Sequence, residues 1–318
     1  YSLLAIDDAK MVADKLCMPF NVINYQDIFK EKVVDYFVNE YLQGRTPNPC
    51  VVCNRHVKFE ALLNKALSMG IDYIATGHYA RVEYANNRNR YLLKKAVTHE
   101  KDQSYMLYNL TQEQLSRTIF PLGEYTKDEV RDMALKYKLP VATKPDSQEI
   151  CFIADNDYGK YVREHTDAKI LSGNFVDIEG NVLGKHKGII HYTVGQRRGL
   201  GIALGKPMYV VEIDKESNQI VLGDLQDVIS KTLIAGNLNF ISIPNIDSPN
   251  IDNIDKGLRV NAKIRYTAKE APATIYPLEV KRVKVDFDSP QRAITPGQSV
   301  VFYDGEVVVG GGVIISSR

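Results

Sequence analysis

The chain reads as an α/β protein in which a parallel-sheet domain is followed by a small mixed domain and a C-terminal β-barrel. Three patterns predict this. Up to about residue 165, amphipathic helices alternate with short apolar runs, as in a parallel sheet covered by helices. From about Lys169 the helical periodicity fades and Gly becomes frequent among short alternating runs. Beyond about Lys231 only strands and turns remain, at the regular spacing of a closed or nearly closed barrel. The expected units are 1–165, 166–230 and 231–318. A length of 318 residues exceeds what one hydrophobic core usually organises, in keeping with several domains.

Ala5, Ala9, Val12, Ala13 and Leu16 recur at helical spacing, and Pro19 ends that helix before an expected short strand, Phe20 to Ile23. Cys17, at the helix end, reads as a core residue. A second helix is expected from about Asp27 to Leu42, stopped by Gly44. After the Pro-rich stretch Thr46 to Cys50, a third helix carries Phe59, Leu62, Leu63, Ala66 and Leu67 on one face and closes at Gly70. IDYIATGHY is an apolar strand entering a Gly turn, so Gly77 and His78 fall at its carboxyl end, where α/β sheets bind ligands. Tyr91 to Ala96 and Met106 to Leu110 flank the charged turn Lys101-Asp102-Gln103. A helix from about Lys127 to Tyr137 precedes Pro140, and the loop Thr143 to Glu149 delivers Cys151. NFVDIEGNVLG, PMYVVEIDK and QIVLGD supply strands of the mixed unit. LRVNAKIRYT, ATIYPLEVKRVKVDF and SVVFYDGEVVVGGGVIIS supply those of the barrel.

Apolar residues at 44% and charged residues at 25% are ordinary for a globular protein. A net charge of +1 excludes a gross basic field, so a nucleic-acid partner would be met by local patches. Arg197 and Arg198 in GQRRG, with Lys263, Arg265, Lys269, Lys281, Arg282 and Lys284, are such patches. Interleaved with Tyr192, Tyr209 and Tyr266 they suit phosphate contact plus base stacking, and they equally suit solvated strand faces. Four cysteines fit a reducing compartment. With no run of 18 apolar residues and no charged-then-apolar leader, a cytoplasmic protein without a membrane partner is expected. The chain opens without an initiator Met, as if in mid-domain.

The cysteines carry the most chemistry. Cys53 and Cys151 lie far apart, each in a turn-rich polar setting without a second CxxC or a His cluster, a pattern that suggests sulfur chemistry. Cys50 and Cys53 form a CxxC for which His56 offers a third zinc ligand and nothing offers a fourth. A dithiol redox motif starts a helix after a strand, whereas a TPNP turn precedes this one; both readings stay open. Cys151 reads equally as a buried small hydrophobe beside Phe152 and Ile153 or as part of an accessible loop. His78 fits a satisfied turn residue, and Lys101-Asp102-Gln103 a solvated turn. GLGIALG, Gly199 to Gly205, runs into the strand Met208 to Ile213 and not into a helix, so it cannot act as a phosphate cradle.

Six motifs in order, GRTPNPCVVCNRHVKF, ATGHYAR, KDQSYML, DSQEICFI, HYTVGQRRGLGI and TPGQSVVFY, closely resemble the tRNA-specific thiouridylase family over nearly the whole chain. The resemblance implies a PP-loop ATP pyrophosphatase (adenine nucleotide alpha hydrolase-like) fold for the first domain and a tRNA-binding central domain. It implies that ATP, with Mg2+, activates the wobble uridine of tRNA so that sulfur replaces its O2, the sulfur coming from a donor protein such as a cysteine desulfurase or relay. Cys53 is implied as nucleophile and Cys151 as persulfide carrier. Asn48, Pro49 and Cys50 match the segment that meets the target base, and Gly77 an ATP-contacting backbone position. His78, Lys101, Asp102, Gln103, Arg265, Tyr266 and Gln298 match tRNA-contacting positions.

The two thiols must come within bonding reach, so Cys151 is expected on a mobile segment that tRNA orders. Whether the persulfide attacks the base directly or Cys53 first liberates hydrosulfide stays open. The family's Ser-Gly-Gly-x-Asp-Ser phosphate loop has no counterpart in the sequence. The chain therefore reads as N-terminally incomplete, expected to bind ATP poorly and not to adenylate tRNA by itself. Cys50 stands where some relatives carry Asp, which leaves room for a Cys50–Cys53 disulfide. The competing readings are a non-catalytic tRNA-binding fragment and a CxxC thiol-disulfide oxidoreductase.

Overall fold

A computed structural model of the chain describes residues 3–144, 150–153, 155–203, 205–244, 257–278 and 281–317. The first helix, Leu3–Lys15, ends in a turn at Cys17, whose φ of 54° lies in the left-handed region. Cys17 is exposed there and not in the core, because the chain turns away at the solvent end of the helix. The apolar run Phe20 to Ile23 is not a strand. It has no sheet neighbour among the described residues, and Phe20, Val22 and Ile23 stay exposed; a strand needs a partner for its backbone groups.

Two long helices follow; the second carries the first core, around Phe59, and the earlier one packs a separate cluster around Phe37. Gln26–Phe29, Lys30–Val34 and Asp35–Leu42 follow one another without a break, as do Pro49–Cys53, Asn54–Ala61 and Leu62–Ser68; the middle segment of each is π-helical. Gly44 and Gly70, both at positive φ, close them as the sequence predicts. Strand β1 (Ile74–Ala75) leads into a hairpin of β2 (Ala80–Ala85) and β3 (Arg90–Lys95), and β4 (Thr118–Ile119) returns beside β1. That pair is parallel, Ile74 opposite Thr118 and Ala75 opposite Ile119, and forms the parallel sheet of the described residues.

The mixed unit is a four-stranded sheet of β5 (Gly173–Val176), β6 (Val182–His186), β7 (Tyr209–Asp214) and β8 (Gln219–Gly223), in the order β6-β5-β8-β7. The last strands are β9 (Ile229–Phe240), β10 (Leu258–Lys263), β11 (Ala271–Leu278), β12 (Arg282–Arg292), β13 (Ser299–Asp304) and β14 (Val307–Ser316). They pair in the order β13-β10-β11-β12-β9-β14, and β14 pairs back onto β13, closing a six-stranded antiparallel barrel. The β2–β3 hairpin joins this sheet through β3 and β14, Lys94 opposite Val307. The sequence pattern shows nothing of that attachment, because strand periodicity does not say which neighbour a strand will find. No helix among the described residues is long and apolar enough to cross a membrane.

Alternation along β13 joins the barrel to the first core. Val300 and Phe302 point into the barrel with Val260, Val283 and Val285, while Val301 and Tyr303 pack outward against Phe59, Tyr105 and Tyr108. The buried seam is hydrogen-bonded: Tyr105 Oη donates to the Ser299 carbonyl (2.8 Å) and Ser299 Oγ to Tyr108 Oη (3.2 Å). Gly311 lets Tyr108 lie against the barrel, since a Cβ there would stand 2.6 Å from the Tyr108 ring and from the Val300 carbonyl oxygen. Gly311→Ala is therefore expected to cost about 1–3 kcal/mol through overpacking. Urea unfolding followed by circular dichroism measures this, and a cost under about 0.5 kcal/mol would count against the tight seam.

Candidate functional site

The helix bearing Cys50 and Cys53 begins at a built N-terminus. Asn48 is its cap, its side-chain oxygen accepting from Val51 N (3.4 Å), and Pro49 occupies the first turn, where a missing N–H costs nothing. Asn48 Nδ2 also reaches Met106 Sδ (3.6 Å), and Asn54 Nδ2 donates to the Met106 carbonyl (3.0 Å). Thr46 and Pro47, just before the cap, rest against the loop ahead of β13.

Three cysteines meet at this helix. Cys50 and Cys151 are exposed and Cys53 is half-buried. A charge on Cys151 acts on both Cys50 and Cys53, so the structure brings together thiols that the sequence holds far apart. The exposed Cys151 is tethered on its carboxyl side. The Phe152 ring lies 5.5 Å from Phe29, 5.4 Å from Phe37 and 5.3 Å from Tyr161, and Ile153 is buried. The stretch 145–149, which includes Asp146, lies outside the described residues.

Burial pushes the Cys53 thiol up to about 11, with Lys58 acting in the opposite direction and the neighbouring cysteines adding to the rise. Cys50 is raised as well, by desolvation first. Lys58, absent from the sequence candidates, acts on Cys50, Cys53 and His78. In an α-helix a residue five positions on lies about 140° around the axis, away from its predecessor. The π-helical Asn54–Ala61 widens the turn and returns Lys58 toward the side of Cys53. No sequence signal distinguishes this lysine from a surface one. Asn54 was likewise missed, although its Oδ1 is buried without a partner beside Cys53.

Gly77 is exposed beyond the carboxyl end of β1, and a Cβ there would make only ordinary contact with Leu122 (3.6 Å), so its backbone is open to a ligand. His78 follows, lodged between Phe59 and Phe120, with Nδ1 2.9 Å from Thr76 Oγ1. Burial, reinforced by Lys58, holds its imidazole down at about 4, so it is neutral at pH 7.

The turn Lys101-Asp102-Gln103 is not simply solvated. Asp102 is buried, its carboxylate accepting from Ala96 N (3.0 Å) and Ser104 Oγ (2.7 Å), and Gln103 Oε1 accepts from Tyr79 N (3.0 Å). Lys101 is half-exposed. In the barrel, Lys263 stands over the rings of Tyr105 (5.8 Å) and Tyr266 (5.5 Å), with Arg265 beside them. Tyr266 is half-buried, but Tyr192 belongs to the core of the mixed unit, and Tyr209 is buried with the Arg292 guanidinium 5.0 Å over its ring. Neither ring is free to stack on a base, because core packing covers Tyr192 and Arg292 covers Tyr209. Among the described residues no group of three or more His, Cys, Asp or Glu side chains could hold a metal ion.

Residues 3–155 match a family model described as tRNA methyl transferase HUP domain, 159–224 one described as tRNA methyl transferase PRC-barrel domain, and 230–314 one described as aminomethyltransferase beta-barrel domain. The tRNA-specific 2-thiouridylase MnmA of Acetivibrio thermocellus is 64% identical over 313 residues, covering 98% of this chain and 85% of the relative. That of Clostridioides difficile is 56% identical over 316 residues, 99% of this chain and 85% of the relative. That of Carboxydothermus hydrogenoformans is 53% identical over 313 residues, 98% and 84%.

The chain belongs to the tRNA-specific 2-thiouridylase family. Membership of the thiouridylase family gives the three converging thiols a chemical context. At pH 8 a thiol raised to about 11 is ionised to only about one part in a thousand, against about one in ten for an ordinary one. Alkylation of Cys53 by iodoacetamide, read by peptide mass spectrometry, is therefore expected to rise about tenfold per pH unit above pH 8 and to level off only near about 11. Lys58→Met moves the plateau higher and slows labelling at pH 8. A plateau near 9, unchanged in the variant, would contradict both statements.

Proposed function

We propose that this protein catalyses ATP-dependent 2-thiolation of the wobble uridine of tRNA, with Cys53 as nucleophile and Cys151 as persulfide carrier. The observation that carries the reading is that Cys151 lies near enough to Cys53, at one capped helix, for its charge to act on it, in a chain of this family. The descriptions of the matched domains speak of methyl transfer. A methyl group needs no pair of converging thiols, whereas sulfur transfer does.

When bound, ATP supplies the adenylyl group that makes the uridine O2 a leaving group. The exposed Gly77 backbone fits one flank of such a nucleotide. Magnesium would arrive with the triphosphate, as is common for this ion, since the described residues supply no ligand cluster. The chain's own thiols then act. The terminal sulfur of a Cys151 persulfide bonds to C2 as the activated oxygen departs. The Cys53 thiolate next attacks the Cys151 sulfur and breaks the S–S bond, so that sulfur stays on the base and a Cys53–Cys151 disulfide remains. Turnover requires an external dithiol to reduce it, which suits a reducing compartment such as the cytoplasm. The order in which Cys53 first frees hydrosulfide uses the same atoms.

Asn48, Pro49 and Cys50 are proposed to meet the base, and His78, Lys101 and the barrel residues Arg265 and Tyr266 to meet tRNA. Asp102 and Gln103 contribute by holding the turn, since their side chains point inward. A donor protein loads Cys151, whose exposure supports such access. The units proposed are 1–165, 166–230 and 231–318.

The test incubates the full-length protein with ATP, a sulfur donor and tRNA and measures thiolated nucleoside by mass spectrometry. Cys53→Ser and Cys151→Ser are each expected to lower the product by at least about a thousandfold. A CxxC oxidoreductase would tolerate loss of Cys151, so normal turnover in that variant would overturn the proposal.

A further inference from the structure

We infer that Gln298 is a positioning residue: from the barrel it grips the turn that caps the cysteine-bearing helix, so that the seating of the barrel sets where Cys50 and Cys53 point. Its consequence for turnover rests on the thiolation reading; its geometry does not. Gln298 Nε2 donates to the carbonyls of Thr46 (2.9 Å) and Pro47 (3.2 Å). An amide nitrogen carries two N–H donors, and these two acceptors use both. The amide nitrogen is thus turned into the protein.

The same turn is held from two further sides. Thr46 N donates to the Pro296 carbonyl (2.9 Å), and Thr46 Oγ1 meets Thr193 Oγ1 of the middle unit (3.1 Å). Gly297, at φ 91°, makes the approach possible, because a Cβ there would lie 2.9 Å from Thr46 N and from its carbonyl oxygen. Pro47 is itself buried, but packing beside the turn is incomplete. A cavity of about 400 Å³, lined among others by Gly44, Arg45 and Pro296, opens beside the turn. Hydrogen bonds from β13's leading loop therefore define the turn's place. Asn48 follows Pro47 directly and caps the helix through Val51 N, so a displaced Pro47 carries the cap and the thiols with it.

Gln298→Met keeps the length and removes the donors; Gln298→Lys restores a donor. Hydrogen exchange of amides 46–54 is measured in the free protein, together with the tRNA Kd and the kcat of thiolation. In Gln298→Met, exchange of this segment is expected to quicken about tenfold or more while barrel strands keep their protection. At saturating tRNA, kcat is expected to fall about tenfold to a hundredfold, the scale of a small misplacement of reacting groups. Gln298→Lys recovers part of both. Gly297→Ala, which wedges the turn away, gives the same pattern and replaces Gln298→Met if circular dichroism shows that variant unfolded. Unchanged exchange in Gln298→Met and Gly297→Ala overturns the inference, as does a weakened tRNA Kd with exchange unchanged, which would make Gln298 a direct RNA contact. Failure of the thiolation reading would show separately, as wild-type protein that yields no thiolated nucleoside, with the exchange result unaffected.

Discussion

Strand β13 is buried on both of its faces, and the geometry around the thiols depends on that double burial. One face fills the barrel with Val300 and Phe302; the other, Val301 and Tyr303, closes the core that Phe59, Tyr105 and Tyr108 build from the first unit. A strand with two apolar faces could slip by one residue and still fill both cores, since both sets are hydrophobic. Register must then come from directed bonds, and Tyr105, Tyr108 and Ser104 supply them through Ser299 and Tyr303. The loop that precedes β13 is thereby fixed against the turn before Asn48. Barrel and thiol helix thus form one frame.

Within that frame the electrostatics favour restraint. Cys53 is held as a thiol by burial, and the Lys58 charge offsets only part of the rise. A nucleophile kept protonated is protected from indiscriminate oxidation, because the thiolate is the reactive form. For the proposed sulfur transfer, ionisation of Cys53 would then be linked to the event that brings a polarising partner or a persulfide beside it.

The helices and the barrel strands were legible in the sequence because each is a local period. The apolar face from Phe59 to Leu67 and the alternation in SVVFY survive intact in the fold. What failed required knowledge of neighbours. Phe20 to Ile23 has strand composition and no strand to pair with. Tyr192 and Tyr209 look like stacking platforms until the core of the mixed unit takes the first and Arg292 covers the second. Asp102 looks solvated until Ala96 and Ser104 turn their donors toward it. The site was legible at Asn48, Cys50, Cys53 and Cys151 through motif order, whereas Lys58 and Asn54 gained their positions from a π-helical stretch that no residue type announces.

His78 illustrates how little a residue's usual chemistry says about its role in a fold. Wedged between two phenylalanine rings and kept uncharged at neutral pH, it presents an imidazole with no cationic character. A polyanion touching it would displace no condensed counterions on its account. Were His78 to meet tRNA as proposed, recognition at that point would rest on shape and hydrogen bonding, and its own contribution would depend little on ionic strength.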